Sequence, residues 1–180
     1  MALSKIPTDL VSGTLASSQL PAQLSISSSA SSGSLAVDSA GRVTMPYQPA
    51  FHVRGNGTQS WSGSTAYQTL QLDTATLNNG SAYNTSTYTF TAPVAGMYYF
   101  AAKITQTTAV TGPSATLFVN GSAFSAELTI AYYTAYMSST GVAVLSLAAN
   151  DAVTLGVTNF NNTSVTLDRT RCSLSGFLIG

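Results

Sequence analysis

Of the side chains able to carry chemistry, this chain holds one histidine, one cysteine and six carboxylates. His52 would have to serve any Ser-His-Asp relay with a carboxylate brought from elsewhere in the fold. It also follows Phe51 on a strand pattern, so it is expected on the face opposite that ring and in no catalytic role. Cys172 is alone, so it can form no intrachain disulfide and belongs to no Cys/His cluster; a small buried apolar side chain is expected. Nitrogen and sulfur ligands for a transition metal are too few. Calcium needs several oxygens at once, whereas Asp73 and Asp151 stand apart in turn-forming stretches. No adjacent carboxylates suggest glycoside hydrolysis, and no Gly-rich phosphate loop occurs. The chain reads as a non-enzyme with no cofactor.

Binding surfaces are the alternative to catalysis. Trp61 sits within a Gly/Ser/Thr/Gln-rich stretch, Gly55 to Thr65, and Tyr132, Tyr133 and Tyr136 cluster between two strand patterns. Exposed aromatics beside Asn, Gln and Ser supply flat apolar area at little entropic cost, which suits a glycan or receptor surface. These four are the candidate receptor contacts; the competing reading packs them at a subunit interface or inside the fold.

Only 7% of residues are charged, against about 25% in an ordinary soluble domain. The net charge is zero and the six basic residues are scattered in sequence, so neither nucleic acid nor an anionic membrane is an expected partner. Surface so poor in charge favours burial in an oligomer. No run approaches the roughly 18 apolar residues of a spanning helix, and Met1-Ala2-Leu3-Ser4-Lys5-Ile6-Pro7 lacks the apolar core of a secretory signal. Export is therefore not expected, and Asn56-Gly57-Thr58 and Asn120-Gly121-Ser122 are read as chance glycosylation triplets in an Asn/Ser/Thr-rich chain.

The elements that position these residues divide at about residue 45. Residues 1–45 are Ser-rich, with a low-complexity stretch from Ser25 to Ser34. Leu3, Ile6, Leu10, Leu15, Leu20 and Leu24 space apolar anchors along this arm, while Pro7, Gly13 and Pro21 forbid one continuous helix. An extended peptide that docks on another protein is expected, with Leu3, Ile6, Pro7, Leu10, Leu15 and Leu20 as its anchor. Leu35 to Thr44 reads as a short hairpin around an Asp/Gly-containing turn. The opening SKIPTDLVSGTLASSQLPA and the later VDSAGRVTMPYQPAF resemble bacteriophage fibre and spike proteins.

Residues 46–180 show short strand patterns punctuated by turns, with no helical period. Ten strands are predicted: Ala50 to Arg54, Tyr67 to Leu72, Thr85 to Thr91, Gly96 to Thr107, Thr116 to Asn120, Ala123 to Ile130, Met137 to Leu147, Ala152 to Thr158, Ser164 to Leu167 and Cys172 to Ile179. Asn120-Gly121 marks a two-residue hairpin, since both residues tolerate positive φ. The pattern predicts an all-β antiparallel sandwich.

Within this region, Thr89-Phe90-Thr91-Ala92-Pro93-Val94-Ala95-Gly96-Met97-Tyr98-Tyr99-Phe100 resembles the signature of the complement component 1q globular head, a family related to tumour necrosis factor. Further matches follow in order: Pro49-Ala50-Phe51, Leu72-Asp73, Asn78, Tyr83-Asn84, Leu117 to Gly121, Val144 to Val153 and Ser175 to Ile179. Asn150-Asp151 stands where that family has Gly-Asp, Leu174 replaces an aromatic, and no Gly-X-Y stem precedes the domain. The resemblance implies a ten-stranded jelly roll assembled as a threefold trimer. Phe51, Tyr98, Phe100, Leu145, Leu147, Phe177 and Ile179 are then expected in the core or at the trimer interface. Together with the arm, it implies a virion protein of a bacterial virus: a homotrimeric knob held on the particle through other virion proteins, assembled in the host cytoplasm. A short tail fibre touching a host surface glycan is the leading form, a head-decoration trimer the alternative, and a non-viral glycan-binding module a more remote one.

Overall fold

A computed structural model describes residues 36–37, 40–45, 47–61, 67–107, 113–129, 137–159 and 164–180. The chain divides into two units, Met1–Pro46 and Tyr47–Gly180. In the first, β1 (Ala36–Val37) pairs antiparallel with β2 (Val43–Thr44), with Val37 opposite Val43. This is the hairpin expected between Leu35 and Thr44, and Gly41 supplies a φ of 78° in its turn. The anchor residues Leu3, Ile6, Pro7, Leu10, Leu15 and Leu20 lie outside the described residues.

In the second unit, alternation decides the architecture. β9 (Gly96–Thr105) turns Tyr98, Phe100, Ala102 and Ile104 inward. β12 (Ser138–Leu147) does the same with Leu145 and Leu147. β3 (Ala50–Arg54), β6 (Thr74–Asn79) and β15 (Ser173–Leu178) complete a five-stranded sheet in the order β12-β9-β15-β3-β6. The opposing sheet runs β11 (Ser122–Thr129), β10 (Pro113–Val119), β13 (Ala152–Asn159), β8 (Thr89–Thr91), β7 (Tyr83–Asn84), with β5 (Gln68–Thr69) also paired to β13. A third ladder joins β4 (Thr58–Trp61) to β14 (Val165–Asp168). A 3₁₀ turn, Arg169–Arg171, links β14 to β15, and every ladder is antiparallel. Two antiparallel sheets with these crossovers form a jelly-roll sandwich.

Aromatic rings join the two layers. Phe51 of β3 stacks on Phe90 of β8 at 4.9 Å and on Tyr83 of β7 at 5.2 Å. Phe90 meets Phe100 edge-on at 5.6 Å. The Pro93–Gly96 corner between β8 and β9 is tied down by the Tyr98 hydroxyl, which donates to the Val94 carbonyl at 2.8 Å.

Each of the ten predicted strands overlaps an observed one, but β4, β6 and β7 were not predicted. β4 and β6 are rich in Thr, Gln and Asn with little apolar alternation and are made strands by partners elsewhere in the chain, β14 and β3, while β7 is two residues long and pairs with β8 across the turn that follows it. Thr85 to Tyr88 form a turn instead of continuing the predicted strand. The Asn84 carboxamide oxygen accepts from the Ser86 and Thr87 amides at 2.8 and 3.2 Å, and Tyr88 adopts a φ of 59°.

Candidate subunit interface

Antiparallel register sets side chains in rows across the outer face of the five-stranded sheet. Val144, Tyr99, Phe177, Ala50 and Asn79 form one row. The next holds Val142, Ala101, Ser175, His52 and Leu77. A third holds Thr140, Lys103, Ser173, Arg54 and Thr74. Because side chains alternate along each strand, this face is the reverse of the one that carries Tyr98, Phe100 and Leu145 into the core. It is strongly apolar for a surface: Val142 is 61% exposed, Ile179 52% and Phe177 46%, with Met97 and Val144 also open. Tyr99 and Phe177 lie ring against ring at 5.2 Å in its middle. A sheet covered on its inner face and this apolar on its outer face has the character of a subunit interface.

The sequence-predicted residues separate on this geometry. Phe51, Tyr98, Phe100, Leu145 and Leu147 are core residues. Phe177 and Ile179 are exposed on the outer face and do not belong to the core. Trp61 requires a correction. As a receptor contact it needs an exposed loop, but it ends β4 opposite Val165 and is 2% exposed, because the β4–β14 ladder turns its indole into the core, which is the competing reading. Tyr132, Tyr133 and Tyr136 lie outside the described residues.

Groups considered for chemistry hold structural posts. The His52 Nδ1 is 2.7 Å from the Ser175 hydroxyl across the β3–β15 ladder. The Asp73 carboxylate accepts from Arg169 Nη1 at 3.1 Å and from the Thr74 hydroxyl at 3.1 Å. One Asp151 oxygen accepts from Asn120 Nδ2 at 2.8 Å and the other from the Ala148 amide at 2.8 Å. These bonds, the Asn120 one first, hold its carboxyl below the usual carboxylate range. No cluster of three or more His, Cys, Asp or Glu residues suited to a metal occurs among the described residues. Burial pushes the Cys172 thiol up to about 11, and the sulfur accepts from the buried Thr105 amide at 3.3 Å. Burial likewise raises the Tyr83 phenol, with Asp73 adding to the shift.

Two surface features were not predicted. Tyr67 and Phe118 meet edge-on at 5.2 Å beside a shallow cavity of about 150 Å³, lined also by Gln68, Thr69 and Thr154. Basic residues far apart in sequence gather at one end of the apolar face. Neither was legible without strand register, since Tyr67 and Phe118 are separated by several elements and Arg54 and Lys103 meet only through β15.

Residues 50–179 match the family described as the C1q domain. None of the curated proteins matches the chain. Among solved structures, the globular domain of zebrafish complement 1qA is similar with a TM-score of 0.55 at 19% identity, over 74% of this chain and 98% of that one. Eiger TNF from S. frugiperda is similar with a TM-score of 0.59 at 14% identity, over 74% of this chain and 93% of that one. Murine APRIL is similar with a TM-score of 0.55 at 12% identity, over 73% of this chain and 99% of that one. At these identities the likeness is one of fold. The family match spans well over half of the 180 residues, and the chain belongs to the C1q domain family.

Proposed function

We propose that the protein is a non-enzymatic structural knob that assembles as a homotrimer through the outer face of its five-stranded sheet. One observation carries this reading: Val142, Val144, Phe177 and Ile179 stand exposed together on a sheet whose other face is the core. Three copies is the number implied by the C1q-type resemblance. Light scattering on the full chain should give about three times the monomer mass. Phe177→Asp and Val144→Asp place a charge on the face without touching the core, so they are expected to yield folded monomers. A folded wild-type monomer at micromolar concentration overturns the reading.

The knob is proposed to sit on a bacteriophage virion, joined to other virion proteins by the arm of residues 1–45, whose spaced apolar anchors and hairpin support attachment. A short tail fibre contacting a host glycan is the preferred form. The Tyr67–Phe118 pair, bordered by Gln68, Thr69 and Thr154, supports this by offering a ring edge and hydrogen-bonding groups of the kind a sugar uses. Particles lacking the protein should adsorb poorly. If they adsorb normally but burst under osmotic shock, head decoration is the better account.

A further inference from the structure

The chain contains only six Lys and Arg residues, yet two of them, Arg54 and Lys103, share one row of the sheet face with Ser173 between them. Adjacent strands lie about 4.8 Å apart, so the two cations start about 10 Å from one another and their long side chains can close on a single group above Ser173. Arg54, Lys103 and Ser173 line a concavity of about 390 Å³ with His52, Thr170 and Arg171.

Its counter-charges are few. Asp168 engages Arg171 at 3.2 Å and accepts from the Thr170 amide at 3.0 Å, while Asp73 pairs with Arg169. Among the described residues no carboxylate stands within ion-pair distance of Arg54 or Lys103. Two like charges flanking a hydroxyl in a concave site, in a chain with zero net charge, are complementary to an oxyanion. A guanidinium can grip two oxygens, an ammonium a third, and the serine can donate to the remaining edge.

We infer that this concavity binds a tetrahedral oxyanion, phosphate or sulfate, either free or as the ester on a sugar. All of the site's residues come from one protomer, and they lie in the row at the end of the same face that the proposed trimer uses.

The test is calorimetric titration of the full-length protein at constant ionic strength with inorganic phosphate, glucose 6-phosphate and glucose, with the mass of each sample measured alongside. Saturable binding of a phosphate-bearing probe but not of glucose is expected. It should weaken about tenfold in Arg54→Gln and in Lys103→Gln, and stay unchanged in Arg42→Gln, which lies in the arm hairpin. Preference for glucose 6-phosphate over phosphate points to an ester on a glycan, and the reverse preference to the free anion. Absence of saturable binding overturns the site, as do retained affinity when Arg54→Gln and Lys103→Gln are combined and equal weakening by Arg42→Gln. A monomer that binds phosphate refutes the trimer and leaves the site; a trimer that does not bind refutes the site alone.

Discussion

Gly176 shows how one absent side chain sets the core. It lies opposite Phe51 on one neighbouring strand and Phe100 on the other. A Cβ there would fall 2.6 Å from Phe51 and 2.9 Å from Phe100, two rings of the same sheet that both pack on Phe90 of the opposing layer. Gly176→Ala is therefore expected to destabilise by about 1–3 kcal/mol through ring displacement, read as a lower denaturant midpoint with an unchanged slope. An unaltered midpoint would show that the rings yield freely. Cys172 is the second residue whose environment decides its behaviour. Reaction requires the thiolate, which burial disfavours by raising the thiol to about 11. Native protein at neutral pH should resist a disulfide reagent that labels the thiol fully once guanidinium has unfolded the chain; rapid native labelling contradicts the buried placement.

At the scale of elements, three turns share one polar clamp. Asn120 and Gly121, with φ of 51° and 79°, close the β10–β11 hairpin, and Asn120 then reaches across to the turn before β13. There Asp151 ties Asn120 to Ala148, while its carbonyl accepts from Ala92 at the β8–β9 corner. The carboxyl of Asp151 is held below its ordinary value, so its stabilising effect is present above the usual carboxylate range and is lost as pH falls through its folded value. The melting temperature of Asp151→Ala should lie below wild type at neutral pH, and the gap should close in acid; a gap independent of pH would exclude the charge as its cause. The Asn120-Gly121 hairpin was legible in sequence because its conformational requirement is local. So were β3 and β9, where apolar residues recur on the core face, whereas in β15 Leu174 and Phe177 point to opposite faces. Trp61 was misread because its polar neighbours describe a loop, while its burial comes from pairing with Val165. The outer face was only half legible: alternation predicts that Tyr99 and Val144 share an orientation opposite to Tyr98 and Leu145, but not that β12, β9 and β15 lie side by side. Arg54 and Lys103 looked scattered for the same reason, since register across β15 is what places them in one row.

At the scale of the molecule, the domain and the arm make different demands on solvent and partners. The sandwich of Tyr47–Gly180 has its own aromatic core, with Phe51, Phe90 and Phe100 supplied from three strands, so its folding is not expected to require residues 1–45. β3 begins opposite the end of β15, with Ala50 facing Phe177, so the chain enters and leaves the sandwich at one edge of the apolar face. Under the proposed role, removing residues 1–45 should leave oligomer mass and melting temperature nearly unchanged while abolishing incorporation into particles. Light scattering and thermal unfolding report the first, and immunoblotting of purified particles the second. If the truncated protein still incorporates normally, the sandwich itself makes the docking contact. If instead it unfolds or dissociates, the arm contributes to the assembly of the knob, and its Leu3, Ile6 and Leu10 anchors act between copies of this chain.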